Sequence, residues 1–296
     1  MAYSKILAGD IGGSHISVAL FEKTDSGTSL LRRGRRTVNS LGSKDEILSE
    51  WVDLIKEFLN FEDEVVVGLA IPAPFDYEKG VFWIKDQGKF LSLFGIELKK
   101  ELSQKLQIAP ELIYFVNDAE AFLRGESNYG KGVGYENLFG ITLGSGLGSS
   151  FKIGKKYTDA ALWSESFKDG IAEDYLGTAW FVNWAEKNLQ KKYSGLKEII
   201  DDGLKAESLK SLFQEYAEHL AEFIYHYDLK YNFDYVVIGG NITKAKHLFG
   251  IEVKESLRNL GFNKSIGFSE MGEQSALYGV VATLETVNES FSKPTV

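Results

Sequence analysis

The chain of 296 residues contains no cysteine and only four prolines. The lack of cysteine excludes disulfide bonds, cysteine–zinc sites and thiol catalysis, and it fits a reducing compartment. Long apolar runs are also missing, since the longest, around residues 65–70, is too short to span a bilayer. No signal-peptide apolar region precedes the first predicted strand. We therefore expect a cytoplasmic protein that does not associate with membranes.

Positive charge is scarce as well. The 33 Lys and Arg residues are outnumbered by 42 Asp and Glu residues, which gives a net charge of −9. This balance argues against a general binder of nucleic acids or anionic membranes. One local exception is the basic cluster Leu-Arg-Arg-Gly-Arg-Arg at residues 31–36. It is interpreted as a solvated strand edge kept soluble by charge, with binding of an anionic ligand as the alternative.

Hydrophobic periodicity predicts alternating strands and helices. Strands are predicted near residues 5–9, 15–22, 29–38, 64–71, 112–116, 234–238 and 264–268, with a hairpin at 138–153. Helices are predicted near 44–60, 96–106, 118–128, 172–192, 206–230, 244–260 and 273–288. This alternation predicts an α/β protein with partly parallel sheets. A hairpin, helices, an apolar strand and a glycine turn occur once in each half, which indicates duplicated halves with a ligand cleft between them.

The first predicted hairpin has an unusual turn, in which Asp10 is followed by Gly12, Gly13 and Ser14. Glycine permits positive φ and brings backbone N–H groups close to a ligand. Such groups form an anion-binding concavity suited to phosphate. Since Asp10 would repel phosphate, its presence makes sense if a cation such as Mg²⁺ lies between them. The turn therefore indicates phosphoryl transfer, although an ordinary glycine-rich hairpin remains an alternative.

The pattern of a strand followed by a glycine turn recurs twice. The further turns consist of Gly144, Ser145 and Gly146, and of Gly239, Gly240 and Asn241. Neither has the lysine of a Walker A loop, and neither fits a dinucleotide fingerprint. We expect the three turns to line one cleft.

A candidate general base, Asp118, lies between a buried strand and a predicted helix. Ligands of open α/β sheets bind at the carboxyl ends of strands, where a carboxylate can accept the proton of an attacking hydroxyl. The alternative is structural, because Asn117 and Glu120 have the spacing of a helix-capping box. Both functions are compatible, since a capping contact also holds the carboxylate in place.

Taken together, these motifs resemble the ROK family of sugar kinases, in the actin-like ATPase superfamily. The similar segments are 10–14 (Asp-Ile-Gly-Gly-Ser), 68–74, 117–119 (Asn-Asp-Ala), 143–148 and 238–241. The resemblance implies two duplicated actin-like, ribonuclease H-like α/β domains with a cleft between them. It places a smaller domain at 1–118, onto which the helix near 273–288 packs, and a larger one at 119–272.

On the sugar side the resemblance is looser. It implies that Asn117, Asp118, Glu165 and Glu173 contact the sugar and that Asp86 replaces a sugar-binding asparagine. Lys168 stands where the family has a zinc-binding histidine, and the family's zinc-binding cysteines are absent. We therefore expect no zinc site. Without the family pattern, Glu165 and Glu173 would be interpreted as surface acids.

The resemblance implies a glucokinase-like enzyme that transfers the terminal phosphoryl group of Mg-ATP to a hexose hydroxyl, with Asp118 as base. Asp10 would hold Mg²⁺ through water, and the glycine turns would hold the phosphates and the nucleotide. A homodimer is also implied. Two alternatives remain. The first is a polyphosphate-dependent glucokinase, for which the basic cluster would bind the donor. The second is a non-catalytic sugar-binding or regulatory member of the family.

Overall fold

The computed structural model describes residues 3–24, 27–60, 64–85 and 88–292, which form a mixed α/β fold. The strands are β1 (Lys5–Ile11), β2 (His15–Thr24), β3 (Gly27–Thr37), β4 (Val65–Ile71), β5 (Phe75–Asp76), β6 (Val81–Phe82), β7 (Ile113–Asn117), β8 (Asn137–Leu143), β9 (Leu147–Ile153), β10 (Lys156–Asp159), β11 (Ser166–Phe167), β12 (Gly170–Ile171), β13 (Tyr235–Gly239) and β14 (Ser265–Phe268). The α-helices are α1 (Lys44–Phe58), α2 (Leu98–Leu106), α3 (Asp118–Tyr129), α4 (Ala172–Leu176), α5 (Thr178–Leu189), α6 (Leu196–Asp201), α7 (Ala206–Tyr231), α8 (Gly250–Asn259) and α9 (Gln274–Ser292). Short 3₁₀ helices cover Leu91–Leu93, Pro110–Leu112, Leu162–Ser164 and Asn241–Leu248.

Internal contacts divide the chain into two compact units. Unit 1 comprises Met1–Asn128 together with Glu273–Val296, and unit 2 comprises Tyr129–Gly272. The sequence-based boundary at residue 118 falls before α3, whereas the contacts keep almost all of this helix in unit 1. The reason is that α3 packs directly on α9.

Each unit contains one five-stranded sheet, and the two sheets have the same topology. Unit 1 has the strand order β3-β2-β1-β4-β7, and unit 2 has the order β10-β9-β8-β13-β14. In both, an antiparallel three-stranded meander is extended by two parallel strands. The prediction of a duplicated α/β architecture is therefore confirmed for the strand topology of the two units.

The sheet of unit 1 is covered on both faces. Every residue of β4 is buried, as expected for a strand in the middle of a doubly covered sheet. One apolar cluster packs α1 and α2 on the first face, and another packs α9 on the second. Helix α1 begins at a capping box in which Ser43 and Glu46 satisfy each other's backbone N–H groups.

Unit 2 has a single apolar cluster that joins its sheet to α4–α8. The helix predicted at 172–192 is interrupted at Gly177, where α4 ends and α5 begins. The helix predicted at 244–260 is a 3₁₀ helix followed by α8. Strand β10, helix α6 and the two short hairpins β5–β6 and β11–β12 were not predicted, because they are too short to show a hydrophobic period. No helix of the described ranges is long and apolar enough to cross a bilayer.

Helices α3 and α9 approach each other so closely that only glycine fits at the contact. A Cβ on Gly279 would overlap the backbone carbonyl of Ala121, and a Cβ on Gly125 would overlap that of Ser275. Beside this contact, the hydroxyl of Ser275 donates a buried hydrogen bond of 2.6 Å to Glu126. The close approach holds α9 on unit 1.

We predict that Gly279→Ala destabilises the protein by about 3 kcal/mol, because the added methyl group meets backbone atoms that cannot move away. Urea unfolding followed by circular dichroism measures the change. Gly195→Ala is the matched control, since a Cβ there meets only the Thr178 methyl at 3.7 Å, and it should cost less than about 1 kcal/mol. Equal stability of the two variants would contradict the interpretation.

Candidate active site

The β1–β2 hairpin of unit 1 positions Asp10 and the first glycine turn. Asp10 lies opposite Ser17 on β2 and beside Ala70 on β4. The turn is closed by a hydrogen bond of 2.9 Å from the Gly12 N–H to the His15 carbonyl. The carbonyl of Ser14 accepts a hydrogen bond from the backbone of Val38, which ties the turn to the end of β3.

At two of the turn glycines, Gly13 and Gly146, a neighbouring side chain takes the space that a Cβ would occupy. Gly12, Gly13, Gly144 and Gly146 do not have positive φ, so that expectation from the sequence is wrong for them. A Cβ on Gly13 would lie 3.3 Å from Cδ of Lys89, which is tighter than ordinary packing. Unit 1 therefore places the Lys89 side chain directly over its glycine turn.

Asp118 lies at the start of α3, immediately after β7. Its Oδ1 accepts a hydrogen bond of 2.9 Å from the Ala119 N–H. The buried side chain of Asn117 accepts a hydrogen bond of 3.0 Å from the Glu120 N–H and donates one of 3.0 Å to the Tyr77 hydroxyl. Asn117 thus caps the helix, as its spacing from Glu120 predicted, and this contact holds the start of α3 that carries Asp118.

The structure brings Asp10 and Asp118 to one edge of the first sheet. Strands β1, β4 and β7 are parallel, with β4 in the middle, so the two backbones lie about 10 Å apart. Burial raises the pKa of Asp10 to about 7, and the negative charges of Asp118 and Glu273 add to the shift. Burial also raises the pKa of Asp118, while the positive charge of Lys89 and the Ala119 N–H oppose that rise.

Glu273 is a third carboxylate near this edge. It accepts a hydrogen bond of 3.4 Å from the Ser17 hydroxyl and lies 3.3 Å from the Arg35 guanidinium and 3.7 Å from His15 Nε2. Negative charge that has little solvation attracts a cation. In the described ranges no three His, Asp or Glu side chains are arranged to hold a metal. Mg²⁺ still fits the donor set, since it uses one or two carboxylates, water and substrate phosphates.

The second glycine turn joins β8 to β9 in unit 2. The Gly144 N–H bonds to the Gly146 carbonyl at 3.0 Å, and Thr178 donates to the Gly144 carbonyl from both its backbone N–H, at 2.9 Å, and its hydroxyl, at 2.8 Å. Glu173 Oε2 accepts a hydrogen bond of 2.8 Å from the Leu147 N–H. A Cβ on Gly146 would overlap this carboxylate, whereas a Cβ on Gly144 would enter open space.

The third glycine turn lies beside the second. Strands β8 and β13 are paired, with Thr142 opposite Gly239. Gly240 has a φ of 90°, and a Cβ on it would overlap the backbone of Leu143. Asn241 follows it, exposed, at the start of a 3₁₀ helix. Unit 2 therefore brings its two predicted glycine turns, including the exposed Ser145, to neighbouring strand ends.

The predicted sugar residues of unit 2 flank the β11–β12 hairpin. Glu165 is exposed, and its carbonyl accepts a hydrogen bond of 3.0 Å from the Ala172 N–H, next to Glu173. Lys168, which stands where the resemblance places a zinc-binding histidine, forms an ion pair of 2.6 Å with Glu222 on α7. Glu173 is engaged with the glycine turn, so its contact with a sugar stays a prediction. Asp86 lies outside the described residues.

Two side chains at the edge of unit 1 were missed from the sequence. Lys89 belongs to the segment that was singled out for Asp86, and Glu273 precedes the last predicted helix. No local pattern distinguishes them from other surface charges, because each comes to the site through long-range packing. The expectation that the last helix packs on the first domain is the one signal for Glu273, because this residue comes just before that helix.

The family model of the ROK family matches residues 6–159, which is more than half of the chain. The chain belongs to the ROK family. A glucokinase of Thermotoga maritima is 28% identical over 144 residues, which cover 49% of this chain and 43% of that protein. The match thus spans less than half of the length of this glucokinase.

Solved structures show the same fold. A protein from Listeria monocytogenes that is described as an N-acetylmannosamine kinase by assignment has a TM-score of 0.77. It is 19% identical, and the match covers 96% of this chain and 100% of that one. A ROK family glucokinase from Streptomyces griseus in complex with glucose and AMPPNP has a TM-score of 0.73 and 17% identity, over 95% and 98%. The predicted actin-like α/β fold of the ROK kinases is therefore confirmed.

We predict that Asp10→Asn stabilises the metal-free protein at high pH. The folded-state pKa of about 7 exceeds the ordinary value of 3.8, so ionising Asp10 costs stability. This cost is absent below the ordinary value, grows as the pH rises between the two values, and is complete above the folded-state value. Relative to wild type, the variant should gain about 4 kcal/mol at alkaline pH and nothing at acidic pH. Urea unfolding in EDTA measures it, and parallel pH curves for the two proteins would refute it.

We predict that Glu173→Ala destabilises the protein by about 1–2 kcal/mol, because the Leu147 N–H loses its acceptor. Glu173→Gln keeps an acceptor oxygen and should cost less than half of that amount. Thermal unfolding of both variants gives the comparison. Similar losses for the two variants would show that the hydrogen bond does not hold the turn.

Proposed function

We propose that this ROK protein transfers the terminal phosphoryl group of Mg-ATP to a hydroxyl of a hexose. The observation that carries the proposal is that Asp10 and Asp118 lie at one edge of the first sheet, beside the glycine turn of residues 12–14. A donor site and a candidate base thus belong to the same edge of unit 1. The glucokinase from Thermotoga maritima, as a ROK relative, supports the reaction class.

Asp118 acts as the general base. Its Oδ1 is fixed by the Ala119 N–H, and it takes the proton of the acceptor hydroxyl as the oxygen attacks phosphorus. Burial raises the pKa of Asp118 above its usual range, which makes the carboxylate a stronger proton acceptor than an exposed one. Asn117 positions this base through its capping contact with Glu120.

Asp10 holds the metal side of the site. Bound Mg²⁺ would neutralise charge on the donor phosphates and on Asp10, whose pKa of about 7 reflects burial and two like charges. The glycine turn next to Asp10 is the part of the β1–β2 hairpin that would bind phosphate. The Asp10 carboxylate would therefore hold the ion through water. Catalysis would then depend mainly on the positioning of the two substrates and on compensation of the negative charge of the phosphates.

Unit 2 carries the second and third glycine turns. The turn would bind donor phosphate at Ser145, because the Cβ position of Gly144 opens into free space while the Gly144 N–H already donates to the Gly146 carbonyl. Gly239, Gly240 and Asn241 would bind the nucleotide. Glu165 remains the candidate sugar contact there, since its side chain is exposed.

The basic cluster gives little support to polyphosphate as the donor. Arg36 is paired with Glu57 and Glu50, and Arg35 is paired with Glu273. Arg32 donates to the Glu57 carbonyl and lies over the Phe58 ring. These arginines lie on the edge strand β3 and contact side chains and backbone of their own unit. ATP is therefore the proposed donor, and polyphosphate is one outcome of the test.

We predict that Asp118→Asn abolishes sugar phosphorylation while leaving the fold intact. Asparagine keeps the oxygen that accepts from Ala119 but cannot take a proton, so kcat should fall by about 10²–10⁴-fold. Purified wild type and variant are incubated with Mg²⁺, each of ATP and polyphosphate, and glucose, mannose, fructose, N-acetylglucosamine and N-acetylmannosamine. Product is followed by mass spectrometry.

The exposed Asp53→Asn on α1 is the matched control and should keep full activity. Product with polyphosphate alone would replace ATP as the donor. No product from any pair, in folded protein that binds a sugar, would overturn the kinase proposal in favour of a sugar-binding or regulatory ROK protein. Full activity of Asp118→Asn would remove Asp118 as the base.

A further inference from the structure

Lys89 lies between two parts of unit 1 that the proposed reaction uses. Its Cδ is 3.3 Å from the position of a Cβ on Gly13, so its stem crosses the first glycine turn. Its positive charge acts on Asp118 through space, without a hydrogen bond between them. The ammonium group is thus near both the phosphate turn and the base, and it is in direct contact with neither carboxylate oxygen.

The backbone of Lys89 is held firmly by its neighbour. Phe90 is completely buried and has a φ of 56°, which turns the chain sharply after Lys89. Its ring packs edge-on against Trp51 at 5.4 Å, and its N–H donates to the Ser40 carbonyl at 2.8 Å. An anchored backbone reduces the freedom that the lysine side chain must lose to act at one place.

Two other basic side chains near this edge, His15 on β2 and Arg35 on β3, both lie against Glu273. Lys89 itself is partly buried, and its charge lowers the pKa of Asp118 against the effect of burial. A cation in this place lies between the proposed phosphate turn and the proposed base.

We propose that Lys89 is a catalytic residue whose ammonium group contacts the phosphoryl group during its transfer. The inference rests on the proposed function. In this step the bond from the acceptor oxygen to phosphorus forms, and the bond from phosphorus to the bridging oxygen of ATP breaks. The bridging electron pair stays on ADP, the hydroxyl proton moves to Asp118, and Lys89 keeps its proton throughout. Its fixed positive charge offsets the negative charge of the transferring oxygens.

The kinetic test uses Lys89→Met, which keeps the stem and removes the charge, and Lys89→Arg, which keeps the charge. We expect Lys89→Met to lower kcat by about 10²–10³-fold with KM for the sugar changed less than about threefold. Lys89→Arg should recover at least about a tenth of wild-type kcat. Lys85→Met is the control, because Lys85 lies over the Phe94 ring in the same segment.

A second measurement makes the inference independent of the sugar. Calorimetry gives the affinity of each protein for Mg-ADP with and without aluminium fluoride, which imitates the transferring phosphoryl group. Wild type should bind Mg-ADP more tightly when aluminium fluoride is present. In Lys89→Met this increase in affinity should be at least about tenfold smaller than in wild type. Affinity for Mg-ADP alone should stay within about twofold of wild type.

The two proposals fail separately. If wild type is active, Asp118→Asn is inactive and Lys89→Met matches wild type, the role of Lys89 is overturned and the kinase proposal stands. If wild type phosphorylates no sugar, the kinase proposal fails and calorimetry decides about Lys89. Equal tightening by aluminium fluoride in wild type and Lys89→Met, or tightening in neither, overturns the inference.

Discussion

The approach of α9 to the rest of unit 1 is the constraint on which the candidate site depends. Its Gly279 meets α3 at backbone distance, and a Cβ on Gly68 in β4 would overlap Val280 of α9. Because glycine occupies these places, α9 can cover one face of the sheet while Glu273, just before the helix, reaches Ser17 on β2. The same packing keeps β1, β4 and β7 aligned, so that Asp10 and Asp118 share an edge.

The clustered carboxylates at this edge lower the free energy of unfolding that the apolar core provides. Burial and the repulsion among Asp10, Asp118 and Glu273 raise the pKa of Asp10 to about 7, so near neutral pH the protein holds a carboxylate that is easily protonated. Such unfavourable charge is typical of binding and catalytic sites, where a ligand supplies the missing compensation. A bound cation would provide it here, and the positive charge of Lys89 is the protein's own contribution.

The two units use one topology for different local chemistry. In unit 1 the turn after β1 follows a carboxylate on the strand itself, Asp10. In unit 2 the corresponding turn after β8 receives a carboxylate from α4, since Glu173 accepts from the Leu147 backbone. Asp10 in unit 1 would thus be left to interact with a cation, whereas Glu173 in unit 2 holds the backbone of its turn. Lys168 stands at the position where the resemblance implies a zinc-binding histidine. Its ion pair with Glu222 connects the β11–β12 hairpin to α7.

The amino-acid sequence by itself determined the strand–helix alternation, the duplicated halves, the three glycine turns and the positions of Asp10 and Asp118, because periodicity and turn residues are local properties. It did not determine that the side chains of Lys89 and Glu173 take the space beside Gly13 and Gly146. Nor did it show that Glu273 belongs beside Asp10. Only the tertiary structure decided these points, since they depend on which distant segments the core brings into contact.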